Sequence, residues 1–134
     1  MRALGRLKPV ALLLLRWGLG LVFIFHGYPK LFTETDAYLQ AFPRMGFPAY
    51  FAYVAGIVEF FGALLLFAGL FTRMAGLLLA GEMAIAIWKV HLGKGVLAVD
   101  QYEFPLALAV AAFALAATGA GAFSLDRVLL GEKD

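Results

Sequence analysis

The sequence contains no cysteine and few charged residues, with 11 Lys and Arg and 9 Asp and Glu among 134 residues. Without cysteine the chain forms no disulfide bond and has no thiol for redox chemistry or metal ligation. A charged share of 15% is well below the roughly one quarter found in soluble domains. The net charge of +2 is too small for a nucleic-acid-binding surface, so we expect no nucleic acid partner.

Apolar residues take the place of the charged ones. They make up 63% of the sequence and give it a mean hydropathy of +0.89. A bilayer span needs about 20 residues, so the length leaves room for four spans with short connections. We therefore predict an all-α fold, an integral membrane four-helix bundle with up-down topology. It forms a single domain over residues 1–134, with the lipid bilayer as its surroundings.

Prolines and charged residues mark where the apolar runs begin and end. Pro9 suits a helix start. Pro29 is expected to end the first helix at Tyr28, because the residue before a proline is biased away from helix. The N-terminal run resembles a signal peptide, but Arg16 interrupts it and no small-residue cleavage site follows, so we expect a retained helix. The four spans are predicted at about residues 9–28, 49–70, 74–90 and 104–118, with a surface segment at 33–47.

The second span is organised around a single carboxylate, Glu59. At helical spacing its face carries small residues, whereas the opposite face is bulky. Small residues let helix backbones approach closely in a membrane, and an ionisable residue at that depth is costly. Glu59 is therefore predicted to face the bundle interior and to mark a functional site. The small residues are Ala52, Ala55, Gly56, Gly62 and Ala63, and the bulky ones include Val54, Ile57 and Phe61.

A first group of ionisable residues lies near mid-depth: Glu59, Glu82 and, about a turn towards the cytoplasm, Arg16. In apolar surroundings either Arg16 pairs with one carboxylate or a buried carboxyl group takes up a proton. The other alternative for Arg16 is that its side chain extends to the interface. The group is interpreted either functionally, as a polar pocket for a lipophile's oxygen atoms or a proton-transfer site, or as a structural ion pair that ties three helices together.

A second group lies at the other ends of the helices. For Lys89, Trp88 and Tyr102 an interfacial belt of aromatic and basic residues is favoured. His26 is kept as a site candidate, because a histidine inside a helix can transfer a proton near neutral pH. Glu59 and His26 are the proton-relay candidates. The predicted ligand-binding residues of both groups are Arg16, His26, Lys30, Glu59, Glu82, His91 and Glu103.

No metal and no covalently bound cofactor is expected. The two histidines form no helical His-x-x-His or Glu-x-x-His pair, and no dinucleotide or phosphate-binding fingerprint is present. The basic residues favour a topology with both termini in the cytoplasm, because that side then holds six of them and the other side four. The six are Arg2, Arg6, Lys8, Arg73, Arg127 and Lys133, and the four are Lys30, Arg44, Lys89 and Lys94.

Six short motifs occur in an order that resembles the DoxX family of small four-helix membrane proteins. They lie at residues 15–16, 25–31 (Phe-His-Gly-Tyr-Pro-Lys-Leu), 46–48, 56–59, 69–73 and 119–126, and so cover nearly the whole chain. The resemblance implies a multi-pass protein of a bacterial or archaeal cytoplasmic membrane. It also implies a quinone-linked redox setting, although the thiosulfate-oxidising partner domain known from this family is absent from this chain.

Together these observations predict a membrane subunit that binds a quinone, a quinol or a similar lipophile and supports redox chemistry by a soluble or membrane partner. His26 and Lys30 would donate hydrogen bonds, Glu59 would relay protons, and Arg16 and Glu82 would be supporting charges. Any enzymatic role would be that of a quinone-linked oxidoreductase subunit. The alternative is a non-catalytic membrane scaffold or small-lipophile carrier, with a homodimer as one candidate assembly.

Overall fold

The chain is all-helical in a computed structural model that describes residues 1–91 and 93–132, without the side chain of His91. No strand occurs in these two ranges, which confirms the predicted all-α class. The helices are α1 (Arg2–Gly5), α2 (Lys8–Tyr28), α3 (Thr35–Arg44), α4 (Phe51–Ala68), α5 (Thr72–Ala86), α6 (Glu103–Thr118) and α7 (Leu125–Leu130).

Two helical segments are long and apolar enough to cross a membrane. One is α2 with its continuation, 26 residues from Lys8 to Thr33, and the other is α4, with 18 residues. The shorter helix α6 is also apolar. These segments and α5 lie close to the four predicted spans, while their up-down passage through a bilayer stays a prediction.

The chain does not leave the helical path at Pro29, where the first helix was predicted to end. The α-helix does end at Tyr28, but the backbone continues as one wider π-helical turn, Pro29–Thr33. The amide of Glu34 closes this wider turn by donating to the carbonyl oxygen of Pro29 at 2.8 Å, and Pro29 stands at its start, where a missing N–H is tolerated. Lys30 lies on this turn, so it belongs to the helical continuation of α2 and not to a loop.

Close contacts at glycines hold the long helices together in pairs. A Cβ atom added to Gly27 of α2 would lie 2.5 Å from the backbone nitrogen of Phe60 in α4. One added to Gly76 of α5 would lie 2.7 Å from the carbonyl oxygen of Ala112 in α6. The backbones therefore touch at these points, as small residues permit.

The predicted two faces of α4 are confirmed. Its buried side carries Glu59 among small residues, and most of its bulky residues are exposed, although Leu66 is fully buried. The buried small residues are Ala52, Gly56, Gly62 and Ala63, and the exposed bulky ones include Val54, Ile57 and Phe61.

One end of the bundle is closed by polar contacts and is called the capped end here; it contains Arg16, Arg73, Asp126 and Glu132. Asp126 accepts hydrogen bonds from the amides of residues 71 and 72 at 2.6 and 3.0 Å, which caps the N-terminus of α5. Arg73 donates to carbonyl oxygens of residues 116–118 at the C-terminus of α6 and to Glu132 at 2.7 Å. Both contacts place charge where a helix dipole favours it.

Arg16 belongs to this capped end, so its predicted pairing with a mid-depth carboxylate is wrong. Its guanidinium donates to the carbonyl oxygen of Leu66 at 3.0 Å and to that of Phe123, and it is attracted electrostatically by Asp126. The side chain is fully buried among protein groups at the capped end, and the alternative of extension to the interface stays a prediction. The Leu66 carbonyl oxygen, in the last turn of α4, also accepts from the amide of Gly69 at 3.2 Å, so Arg16 is its second donor.

Candidate functional site

A cavity of about 650 Å³ lies at the opposite end of the bundle from the capped end. Residues of α2, α3, α4, α5 and α6 line it, and its size falls within the roughly 300–1,000 Å³ of small-molecule sites. The wall is mainly apolar and aromatic. Its titratable and hydroxyl-bearing side chains are His26, Lys30, Tyr38, Glu59 and Glu82.

A buried ion pair joins two walls of the cavity. Lys30 Nζ lies 2.9 Å from Glu59 Oε1, and the two side chains are only 9% and 4% exposed. The ammonium group also donates to the carbonyl oxygen of His26 at 3.0 Å and sits 4.9 Å from the ring centre of Tyr38. The π-helical turn after α2 and the middle of α4 are thereby held together, and the Lys30 ammonium group contacts two oxygen atoms and one aromatic ring of the protein.

Glu82 lies on the α5 side of the cavity and lacks a donor. Both of its carboxyl oxygens are buried, and no described residue donates a hydrogen bond to either. The Glu59 carboxyl group is close enough for the two acidic side chains to interact electrostatically. A buried carboxyl group without a partner is costly, which makes Glu82 the unsatisfied polar group of this wall.

His26 is more exposed than the ion pair and faces the same cavity. Its Nδ1 lies 2.8 Å from the carbonyl oxygen of Val22, one turn earlier in α2. Because a carbonyl only accepts, Nδ1 carries the proton, and in the neutral imidazole Nε2 is left as an acceptor. The ring also lies 6.1 Å from that of Phe104 at the start of α6.

The segment α3 was predicted to lie on the membrane surface, and the structure adds a second role for it. It contributes Tyr38 and Phe42 to the cavity wall, and Phe42 is buried there. Sequence reasoning did not include these residues in the site. The signal was present, since Tyr38 and Phe42 lie on one apolar face of α3, but such a face suits a lipid surface as well as a covered cavity.

The structure separates the predicted site residues into two sets. Four of them, His26, Lys30, Glu59 and Glu82, line one cavity, so the two groups distinguished in the sequence meet there. Glu103 is exposed and lies outside the cavity wall, as Arg16 does at the capped end. The prediction for His91 falls on a side chain outside the described part of the structure.

The residues attributed to an interfacial belt are exposed or bonded locally. Lys89 Nζ sits 4.9 Å from the ring centre of Trp88, and the Tyr102 hydroxyl donates to the carbonyl oxygen of Val96 at 2.5 Å. Within residues 1–91 and 93–132, no three His, Cys, Asp or Glu side chains are grouped so that they would hold a metal ion.

Comparison with known proteins identifies the family. The profile of the DoxX family matches residues 11–92, which is well over half of the chain. The chain belongs to the DoxX family. The motifs around His26, Lys30 and Glu59 all lie within the matched part, so the family assignment and the cavity involve the same region.

Similar curated proteins come from bacteria. A Bacillus subtilis protein named "Putative oxidoreductase CatD" is 35% identical over 87% of this chain and 85% of its own length. Two Escherichia coli proteins, inner membrane proteins YqjF and YphA, are 30% and 32% identical, each over 92% of this chain and over 95% and 93% of their own lengths. No solved structure matches. The composition and these relatives together make this DoxX chain a membrane protein of bacterial inner-membrane type.

Proposed function

We propose that this chain crosses the bacterial cytoplasmic membrane four times, with both termini in the cytoplasm, and binds a quinone, a quinol or a similar lipophile in its cavity. In this role it supports redox chemistry that a partner protein carries out. The observation that carries the proposal is the meeting of His26, Lys30, Glu59 and Glu82 at one otherwise apolar cavity.

The cavity fits the chemistry of such a ligand. A quinone headgroup is a flat ring with two oxygen atoms, and the wall offers aromatic side chains for the ring and a few polar groups for the oxygens. Leu77 and Leu78 of α5 line the cavity and are also exposed on the outside of the bundle. In a bilayer these residues would face lipid, which gives a lipophile a direct route from the membrane.

The protein's own residues would bind and orient the ligand and would exclude water from it. The Lys30–Glu59 pair holds the α2 and α4 walls in register, Glu82 and His26 present polar atoms to the ligand, and α3 covers the site. A quinone and its quinol differ by two electrons and two protons. The electrons would pass to or from a partner oxidoreductase, in agreement with the oxidoreductase name given to the Bacillus relative.

Co-purification tests the proposal. The protein is purified gently, extracted with solvent and analysed by mass spectrometry against membranes that lack it. Gly81→Leu is the test variant, because Gly81 lines the cavity and an added Cβ meets nothing within 4 Å, so the leucine fills space without displacing backbone. Gly18→Leu is the matched control, because Gly18 lies in α2 outside the cavity wall and an added Cβ there also meets nothing.

We expect a quinone or quinol enriched towards one molecule per chain in the wild type and in Gly18→Leu, and largely lost in Gly81→Leu. Only bulk lipid, in the proportions of the mock membrane, would contradict the proposal. A bound lipophile of another class, with no redox enzyme co-purifying, would instead favour a small-lipophile carrier using the same cavity.

A further inference from the structure

The polar atoms that the cavity leaves free are mainly hydrogen-bond acceptors. The donors of Lys30 are already directed at Glu59, at the His26 carbonyl oxygen and at the ring of Tyr38. The Nδ1–H of His26 is directed at the carbonyl oxygen of Val22. These two side chains were predicted to donate to a quinone, and the structure has both donors engaged within the protein.

What remains towards the cavity is the Glu82 carboxyl group and Nε2 of His26. If Glu82 is ionised, both of its oxygens accept. If it is neutral, one oxygen carries the proton and the other oxygen still accepts. Its free oxygen is therefore an acceptor in either state. The Tyr38 hydroxyl both donates and accepts, so it does not distinguish between ligands.

The two oxidation states of a quinone differ in just this respect. A quinone carries two carbonyl oxygens, which only accept hydrogen bonds, whereas a quinol carries two hydroxyl groups, which donate. An acceptor-only ligand would leave the buried Glu82 oxygens without a donor, and an unmade buried hydrogen bond weakens binding. We propose that the Glu82 carboxyl group and His26 Nε2 make this cavity selective for the hydroxyl-bearing, reduced form of the ligand, a quinol, over the oxidised quinone.

This inference rests on the proposed function and specifies the form of its ligand. Hydrogen bonds to a charged or buried acceptor correspond to roughly a tenfold or larger difference in affinity. Tighter binding of the reduced form raises the midpoint potential of the bound couple, by about 30 mV for each factor of ten in a two-electron couple. The cavity would then be occupied mainly by the quinol, and a partner protein would oxidise it.

The test measures binding of three matched probes to the full chain in lipid nanodiscs, under anaerobic conditions at pH 8. The probes are a decyl-substituted benzoquinone, its quinol, and the dimethyl ether of that quinol, which keeps the ring and tail but has no O–H. We expect the quinol to bind about tenfold or more tightly than the quinone, and the ether to bind no better than the quinone.

Two variants link the preference to Glu82. In Glu82→Gln the amide supplies a donor of its own, so the ratio of quinol to quinone affinity should fall towards one. In Glu103→Gln, an exposed glutamate outside the cavity, the ratio should be unchanged. Should Glu82→Gln fail to fold, the comparison of quinol with its ether on the wild-type protein still decides the question.

The outcomes separate the two proposals. If quinone and quinol bind equally, or quinone binds more tightly, the inference is overturned while quinone binding stands. If none of the probes binds above the level of protein-free nanodiscs, the proposed function falls, and the preference falls with it.

Discussion

Replacing Lys30 by methionine should strongly destabilise the protein. Methionine keeps much of the length of lysine but removes its charge, so the Glu59 carboxylate, 4% exposed, loses the ammonium group 2.9 Å away. Breaking a buried pair by removing one partner costs about 3–5 kcal/mol, because the other charge is left uncompensated. We expect the free energy of unfolding to fall by that amount, measured by denaturant titration in detergent micelles.

Two further variants test the reasoning. In the double variant Lys30→Met/Glu59→Leu no charge of the pair remains, so most of the lost stability should return, since apolar replacement of a buried pair is often neutral. Lys94→Met removes an exposed lysine and should change stability by less than about 0.5 kcal/mol. A single variant within about 1 kcal/mol of the wild type, or a double variant as unstable as the single one, would show that the pair is not a dry, buried one.

Two other predictions use the same titration. Gly27→Ala should lower the free energy of unfolding by about 1–3 kcal/mol, because the new Cβ would lie 2.5 Å from a backbone nitrogen of α4. Gly18→Ala is the control: its new Cβ meets nothing within 4 Å, so the change should be neutral or stabilising by up to about 1 kcal/mol. Equal effects of the two variants would contradict the close contact between α2 and α4. Asp126→Ala should lower the free energy of unfolding by at least about 2 kcal/mol, because it removes the cap of α5 and the acidic neighbour of Arg16. Asp100→Ala, at an exposed aspartate, should change it by less than about 0.5 kcal/mol. A similar loss in both variants would refute the capping role of Asp126.

The helices and the orientation of Glu59 were predictable because they depend on local patterns. Long apolar runs define α2 and α4, and the small residues around Glu59 share one helical face. Periodicity alone is enough to predict such features, since it is set by the geometry of a single helix. The same holds for α3, whose apolar face was identified although the partner of that face was not.

The contacts made by Arg16 and Lys30 were not predictable from these patterns. Arg16 donates to backbone carbonyls 50 and 107 residues away, and a carbonyl oxygen has no sequence signature. Lys30 was assigned to the outer end of the bundle and Glu59 to its middle. The π-helical turn Pro29–Thr33 and the length of the lysine side chain together bring the Lys30 ammonium group to the Glu59 carboxylate. Neither feature can be predicted from helical spacing.

The contacts of Arg16 have a consequence for how the nascent chain enters the membrane. An arginine within an isolated span is costly, by about 2.5–3.5 kcal/mol on the scale of translocon insertion at the helix centre and by less where its side chain reaches an end of the span. One of its two carbonyl partners, Phe123, is synthesised 107 residues later. At about 5–20 residues per second the first helix therefore waits about 5–20 s before its arginine can reach both carbonyl partners. The first helix therefore depends on a late segment of the chain for one of the two carbonyl groups that satisfy its buried arginine.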